Sequence, residues 1–335
     1  MKLFKFLIVF LALIFQTCLS QPEKINGVSF VASQESIDHA HVKPVVNVNA
    51  NYAAIMPFGF IRNLEHPEIV FNTQRQWFGE TTAGAKQYVE VLRQKHIKIM
   101  IKPQIWIWHG EFTGYLEMAS EADWKTLENS YSKFILEYAQ LAHEFDAELF
   151  CIGTELEKFI ENRPDYWRNL IAEIKKTYKG KLTYAANWDE FKHTPFWDEL
   201  DFIGIDAYFP VSDSKTPTVA EATAGWKAHK PVIEQVSNTF NKPILFTEFG
   251  YRSVDYSGKE PWKSDRNMGH VNLDAQTNTT KALLENFWNE DWFAGGFIWK
   301  WFVNHEAVGG VNNAQFTPQN KPVEAVLRKH YSDFK

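Results

Sequence analysis

The sequence predicts a single-domain α/β protein closed as a (β/α)8 TIM barrel, and three observations predict it. Eight short apolar runs recur along the 335 residues, of the length and composition of strands buried on both faces. Longer segments of helical period separate most of them, which is the alternation of βα units on a parallel sheet. No Pro-, Ser- or Gly-rich linker divides the chain, and it carries no Gly-rich phosphate loop to support the rival, an open doubly wound sheet. Barrels of this kind run to such a length as one domain.

Residues 1–20 read as a secretion signal: Lys2 and Lys5 precede an apolar run from Phe6 to Phe15, and small residues follow at Cys18 and Ser20. That run is too short to span a bilayer. Cleavage is expected near Ser20, leaving residues 21–335 as the barrel and an exported protein, periplasmic or extracellular, with no membrane insertion. Thr17 before Cys18 disfavours a lipid anchor.

The strands are expected at residues 27–31, 52–57, 97–103, 148–154, 182–186, 202–207, 244–247 and 295–299. The helices are expected at residues 83–95, 124–145, 166–178, 218–240, 275–289 and 322–330. In the second of these, Leu127, Tyr131, Phe134, Ile135, Tyr138 and Leu141 recur at three and four, one apolar face over several turns. The first and fifth connections are weak, with a short helical pattern over residues 33–41 and about one turn over 193–200. The seventh strand starts after Pro243, a position proline tolerates, and runs into Glu248 with Gly250 opening a loop.

Loss of the signal takes two lysines and no acidic residue, moving the net charge from −6 to −8. That balance disfavours nucleic acid or an anionic membrane as a partner. Cys151 is then the one remaining cysteine, so no internal disulfide forms; it lies in an apolar run and reads as buried and inert. Aromatic residues make up 16% of the chain, 13 of them Trp, and many fall at strand ends and in loops. Flat aromatic faces in a neutral-to-acidic cleft suit sugars, so the expected partner is a polysaccharide or oligosaccharide.

Two strands end in carboxylates. Glu248 closes the seventh, and Glu155 closes the fourth after the small residues Gly153 and Thr154. Either alone could be a rim salt bridge. Together, at the C-terminal mouth of a parallel barrel, they are what glycoside hydrolysis needs: one group to protonate the leaving oxygen, one to attack or to activate water. Glu157 shares the facing of Glu155 but enters the loop with Lys158, and a solvated or supporting role suits it better.

Thr154-Glu155, Asp206-Ala-Tyr208-Phe-Pro210, Thr247-Glu248-Phe-Gly-Tyr251 and Gly-Gly-Phe-Ile-Trp299-Lys-Trp301, ending strands four, six, seven and eight, resemble glycoside hydrolase clan A. Ile-Gly-Thr-Glu-Leu-Glu with Gly-Ile-Asp-Ala-Tyr-Phe-Pro is most similar to family 113, the β-1,4-mannanases. The resemblance covers essentially the whole chain after the signal. It implies hydrolysis of β-1,4-linked mannan or manno-oligosaccharides by double displacement, with Glu155 as general acid/base, Glu248 as nucleophile and Tyr208 orienting the nucleophile. Trp299 or Trp301 would floor the sugar subsite at the cleavage point. Thr154 departs from the clan, most of whose members carry Asn there to hold the 2-hydroxyl.

Further sugar contacts are expected from Trp106 and His109, with Lys102 and Gln104, after strand three, and from Asn187 and Trp188 after strand five. Trp262, in the loop 252–262, is a further stacking platform, and Asp206 reads as a supporting group. Neither a cofactor nor a metal is expected. The pair His39 and His41 raises a metal-dependent hydrolase, but the later strands end in Glu, Asn, Asp, Glu and Trp, which do not complete such a site. Hydrolysis of another β-linked glycan, glucan or glucomannan, and a non-catalytic carbohydrate-binding barrel are the other readings; retention of both Glu argues against the second.

Overall fold

The structure is a computed structural model describing residues 23–264 and 269–335. The expected signal, residues 1–20, lies outside the described residues. Eight parallel strands close into a barrel. In chain order the strands are β1 (Ile25–Phe30), β2 (Tyr52–Ile55), β3 (Phe58–Ile61), β4 (Lys98–Ile101), β5 (Gln104–Ile107), β6 (Leu149–Thr154), β7 (Lys181–Asn187), β8 (Ile203–Asp206), β9 (Ile244–Phe249) and β10 (Phe293–Trp301). The barrel order is β1-β10-β9-β8-β7-β6-β4-β2, while β3 and β5 pair separately. All eight expected barrel strands are present, within a few residues of the expected limits.

The expected second and third strands stop short of their limits, and each is followed by a further strand that the sequence did not suggest. Pro57 and Pro103 follow β2 and β4, and a proline supplies no N–H for the barrel ladder. Past these breaks the chain extends again, and Phe58 to Ile61 pair in parallel with Gln104 to Ile107 as a flap standing beyond the barrel. Trp106, expected in a loop, is therefore on a strand.

The helices are α1 (His39–Asn47), α2 (Thr82–Arg93), α3 (Glu121–Glu144), α4 (Glu157–Asn162), α5 (Pro164–Thr177), α6 (Val219–Phe240), α7 (Leu273–Phe287) and α8 (Pro322–Asp333). The first connection is a true helix, later than the residues that suggested it, because the Asp38 carboxylate accepts the Ala40 N–H at 2.8 Å and caps α1 there. The fifth holds only a short 3-10 turn, Trp197–Glu199. The apolar face expected on α3 is buried from Leu127 to Leu141. Truncating one of these Leu to Ala would cost about 2–5 kcal/mol.

Inside the barrel Ile25, Ala54, Met100, Leu149, Cys151, Ala185, Leu245 and Phe297 form a small separate core that plugs the lumen below the mouth. Gly27 is required there: a Cβ would lie 2.3 Å from the Phe297 ring. The register shifts by one extra residue on β6 between Cys151 and Thr154, and by one extra residue on β9 between Phe246 and Glu248, just below the mouth. Such irregularities re-aim strand-end side chains.

Candidate active site

Polar groups gather where the plugged lumen meets the C-terminal ends of the strands. Asn187, Asp206 and Glu248 are direct register partners across β7, β8 and β9. Glu248 is 6% exposed, and donors from three directions meet its carboxylate. Lys102 and Gln104 donate to Oε1, Gln104 at 2.9 Å, and the Tyr208 hydroxyl donates to Oε2 at 2.7 Å. These contacts fix the plane of the carboxylate.

The Lys102 ammonium is fully buried and lies between two carboxylates, 3.4 Å from each oxygen of Asp206 and in contact with Glu248. Burial alone would lower its pKa; Asp206 and Glu248 outweigh burial and hold it above the ordinary lysine value. Asp206 also accepts the Thr247 hydroxyl at 2.7 Å. Burial first, and the Glu248 charge second, push its pKa up, against the pull of Lys102. Its side-chain hydrogen bonds are to Lys102 and Thr247. Lys102 and Gln104 are turned to Glu248 as well, rather than simply to a ligand.

Glu155 ends β6 in the left-handed region, at φ 49°. For a residue with a Cβ this conformation costs energy that the surroundings must supply. Two bonds hold it. The Glu155 N–H donates to Ala185 O at 2.8 Å, and the Leu156 N–H donates to the Tyr184 hydroxyl at 2.6 Å. Tyr184 in turn donates to Glu190 at 2.8 Å, and Glu190 accepts the Asn187 N–H at 2.9 Å. Burial pushes Glu190 up to about 8. The carboxyl of Glu155 is half-buried at the mouth; burial, then the charges of Asp206 and Glu248, push it well above the usual carboxylate range. Glu155 and Glu248 thus share one mouth in opposite settings.

Sequence reasoning missed Tyr184 and Glu190. Tyr184 sits mid-strand and looked like core, and Glu190 lies in a turn with no periodic signal. Glu157 begins α4 instead of continuing the strand. The Thr154 hydroxyl is buried beside the Cys151 thiol. Cys151 itself is fully buried and pushed up to about 11 by that burial.

The aromatic candidates divide into three groups. Trp299 is half-buried at the mouth beside Lys300, whose ammonium lies 5.3 Å from its ring centre and feels the Glu248 charge. Trp301 does not share this position. It is fully buried in the main core, its ring 5.7 Å from that of His305, and cannot floor a subsite. Trp188, half-buried after Asn187, stacks on Trp262 at 5.2 Å and 17°, and Trp262 keeps 40% of its surface exposed. Trp106 is 49% exposed on the flap, and His109 is exposed past it, its ring 5.6 Å from Trp108. Phe316 packs on Tyr208 at 6.0 Å. His41 is turned to Asp38, 2.8 Å away; among the described residues no three His, Cys, Asp or Glu come together in a way that could hold a metal.

The profile of Glycoside Hydrolase Family 113 matches residues 32–321. Among solved structures, the family 113 β-mannanase AaManA from Alicyclobacillus acidocaldarius, in complex with ManMIm, is similar with a TM-score of 0.82 and 25% identity, over 93% of this chain and 98% of that one. A family 113 β-1,4-mannanase complex is similar with a TM-score of 0.78 and 22% identity, over 92% and 99%. The Faecalibacterium prausnitzii β-glucuronidase shares the fold at a TM-score of 0.63 and 14% identity, over 94% of this chain and 50% of that one. No curated protein matches the chain by sequence. A profile that spans most of the chain, on a closed parallel barrel, places this protein in Glycoside Hydrolase Family 113, as a glycoside hydrolase.

Proposed function

We propose that the protein is a retaining hydrolase of β-1,4-linked mannan or manno-oligosaccharides, with Glu155 and Glu248 as its working pair. The observation that carries this reading is the opposite setting of two carboxyls at one mouth. Glu248 is met by Lys102, Gln104 and Tyr208 as an acceptor, whereas Glu155 is pushed towards its protonated form by burial and by the carboxylates beside it. A carboxyl held protonated suits the acid, and a carboxylate met by three donors suits the nucleophile.

In the first step Glu248 attacks the anomeric carbon as Glu155 gives its proton to the glycosidic oxygen, which leaves as an alcohol. A glycosyl ester of Glu248 results. In the second step Glu155, now a carboxylate, takes a proton from water as that water attacks the anomeric carbon, and Glu248 departs. Two inversions leave the configuration retained. Tyr208, Gln104 and Lys102 orient Glu248 for attack, and the Lys102 ammonium offsets the negative charge that returns when the ester breaks. Trp299 is the floor of the reacting subsite, with Trp188 and Trp262 lining one side of the cleft.

The choice of mannan rests on the family 113 relatives described as β-1,4-mannanases. Export through residues 1–20 would place the enzyme where polysaccharide is met; a mature mass beginning near Gln21 in cells that express the full chain is the check. The mechanism is tested by proton NMR of mannohexaose hydrolysis. The β-anomer should form first and mutarotate later, and a 2-deoxy-2-fluoro mannoside should leave its label on Glu248. An α-anomer formed first, or turnover of gluco-oligosaccharides with none of mannohexaose, would sink the corresponding part of the proposal.

A further inference from the structure

The flap formed by β3 and β5 carries an apolar row that the reaction at Glu248 does not use. Gln104 is the first residue of β5, and its amide reaches Glu248 at 2.9 Å. Side chains alternate along a strand, so Trp106 lies on the face Gln104 uses, roughly 7 Å further out. Ile105 and Ile107 take the opposite face and are buried. Across the flap Phe60 is the register partner of Trp106, and Val70 bridges to Phe60 on its other side. Gly59 confirms the orientation of β3: a Cβ there would meet Ile69 at 2.6 Å and the Phe134 ring of α3 close behind, so Phe58 and Phe60 point away from the helix layer.

Val70, Phe60 and Trp106 therefore stand side by side on one face. Trp106 is 49% exposed and Val70 is 52% exposed, and Trp108 beyond them is 64% exposed. Together with Arg62 they line a shallow cavity of about 350 Å³. Neighbouring exposed aromatic and apolar groups in one row are not explained by core packing.

We infer that this face is an extended glycan-binding platform, on which a β-linked oligosaccharide running out of the cleft lays its sugar rings across Trp106 and Trp108. The inference rests on the proposed hydrolase reading and extends it to chain length. Two features select a glycan over a protein segment as occupant. Gln104, which touches Glu248, and Trp106 share one face of one strand, so the row of rings starts about 7 Å beyond the residue that meets the carboxylate. Flat indole faces with Arg62 at the edge match a pyranose, which is apolar on its faces and hydroxylated at its rim.

The test compares wild type with Trp106→Ala, Trp108→Ala and the double variant on mannobiose and mannohexaose. The ratio of kcat/KM on mannohexaose to that on mannobiose is expected to fall about 10-fold for each ring removed, one lost aromatic contact. Trp106→Tyr, which keeps a flat ring, should restore most of the ratio. A ratio unchanged in the double variant overturns the platform, as does an equal loss on both substrates. Wild type that hydrolyses neither substrate refutes the hydrolase reading instead, and titration of intrinsic fluorescence with mannohexaose, in wild type against the double variant, then decides the platform on binding alone.

Discussion

Tyr184→Phe removes one oxygen, 0% exposed, and should disable the enzyme at a distance from the reacting bond. The hydroxyl accepts the Leu156 N–H at 2.6 Å and donates to Glu190 at 2.8 Å. Phenylalanine leaves that N–H without its acceptor in a buried place, and Glu190 without one of its two donors. The orphaned N–H costs about 1–3 kcal/mol, and stability should fall by roughly that much. The larger effect is on Glu155. Its left-handed φ is held by two N–H bonds, its own to Ala185 and that of Leu156 to Tyr184, and the variant breaks one of them. The strand end can then relax towards an ordinary conformation, recovering some of the 1–3 kcal/mol or so of backbone strain and displacing the carboxyl. A displaced acid matters only where the leaving group needs a proton. On mannohexaose kcat should drop on the order of 10- to 100-fold, while a dinitrophenyl mannoside, whose leaving group departs unaided, should show a much smaller loss in its first step. Glu190→Gln should move in the same direction. The assay is kcat and burst kinetics against leaving-group pKa at a temperature where both variants are folded. Equal losses on both substrate classes would refute the positioning argument, and an unchanged slope in both variants would remove Glu155 from the acid's role.

Lys102→Met leaves Asp206 and Glu248 buried without their cation; breaking such a pair costs about 3–5 kcal/mol, and urea midpoints should show the loss shrinking at low pH, where the carboxylates take up protons. Glu155→Gln should be nearly inactive yet more stable than wild type. Its folded pKa is raised, so the native state binds the proton more tightly and wild-type stability is lost as pH rises from the unfolded value through the folded one; the gain in Tm should be largest above that window and absent at pH 4. Lys321, buried against Ser253 and Gln315, is lowered by burial to about 7. Between that value and the unfolded lysine value near 10.5 the unfolded chain binds more protons, so stability should rise with pH across this window; Lys321→Met should flatten that rise in chemical denaturation curves.

How far the sequence carried depended on whether a signal is local. Apolar runs ending in Glu155, Asp206 and Glu248 are local, and a strand buried on both faces can end in such a residue only at the barrel mouth, so these three were legible together with the barrel. The flap was not, because the expected strands stop at Pro57 and Pro103, and nothing local to residues 58–61 or 104–107 announces that the chain extends again and pairs there. Trp301 illustrates the converse error. Next-but-one to Trp299 in sequence, it was offered as an alternative floor for the sugar, yet between Ile298 and Trp301 the strand carries an extra residue against β1 and the ring lies in the core. Tyr184 and Glu190 fail for a different reason: their work is a hydrogen bond between two strand ends, and nothing in either residue's own neighbourhood announces a partner on the next strand. The conformation of Glu155 belongs to the same class. Its sequence neighbours ask for an ordinary strand end, and the left-handed turn exists only because β7 supplies an acceptor for each of the two N–H groups beside it. The site is therefore readable at the residues proposed to do the chemistry and unreadable at those proposed to aim them, since aim is a property of pairs brought together by closure of the barrel.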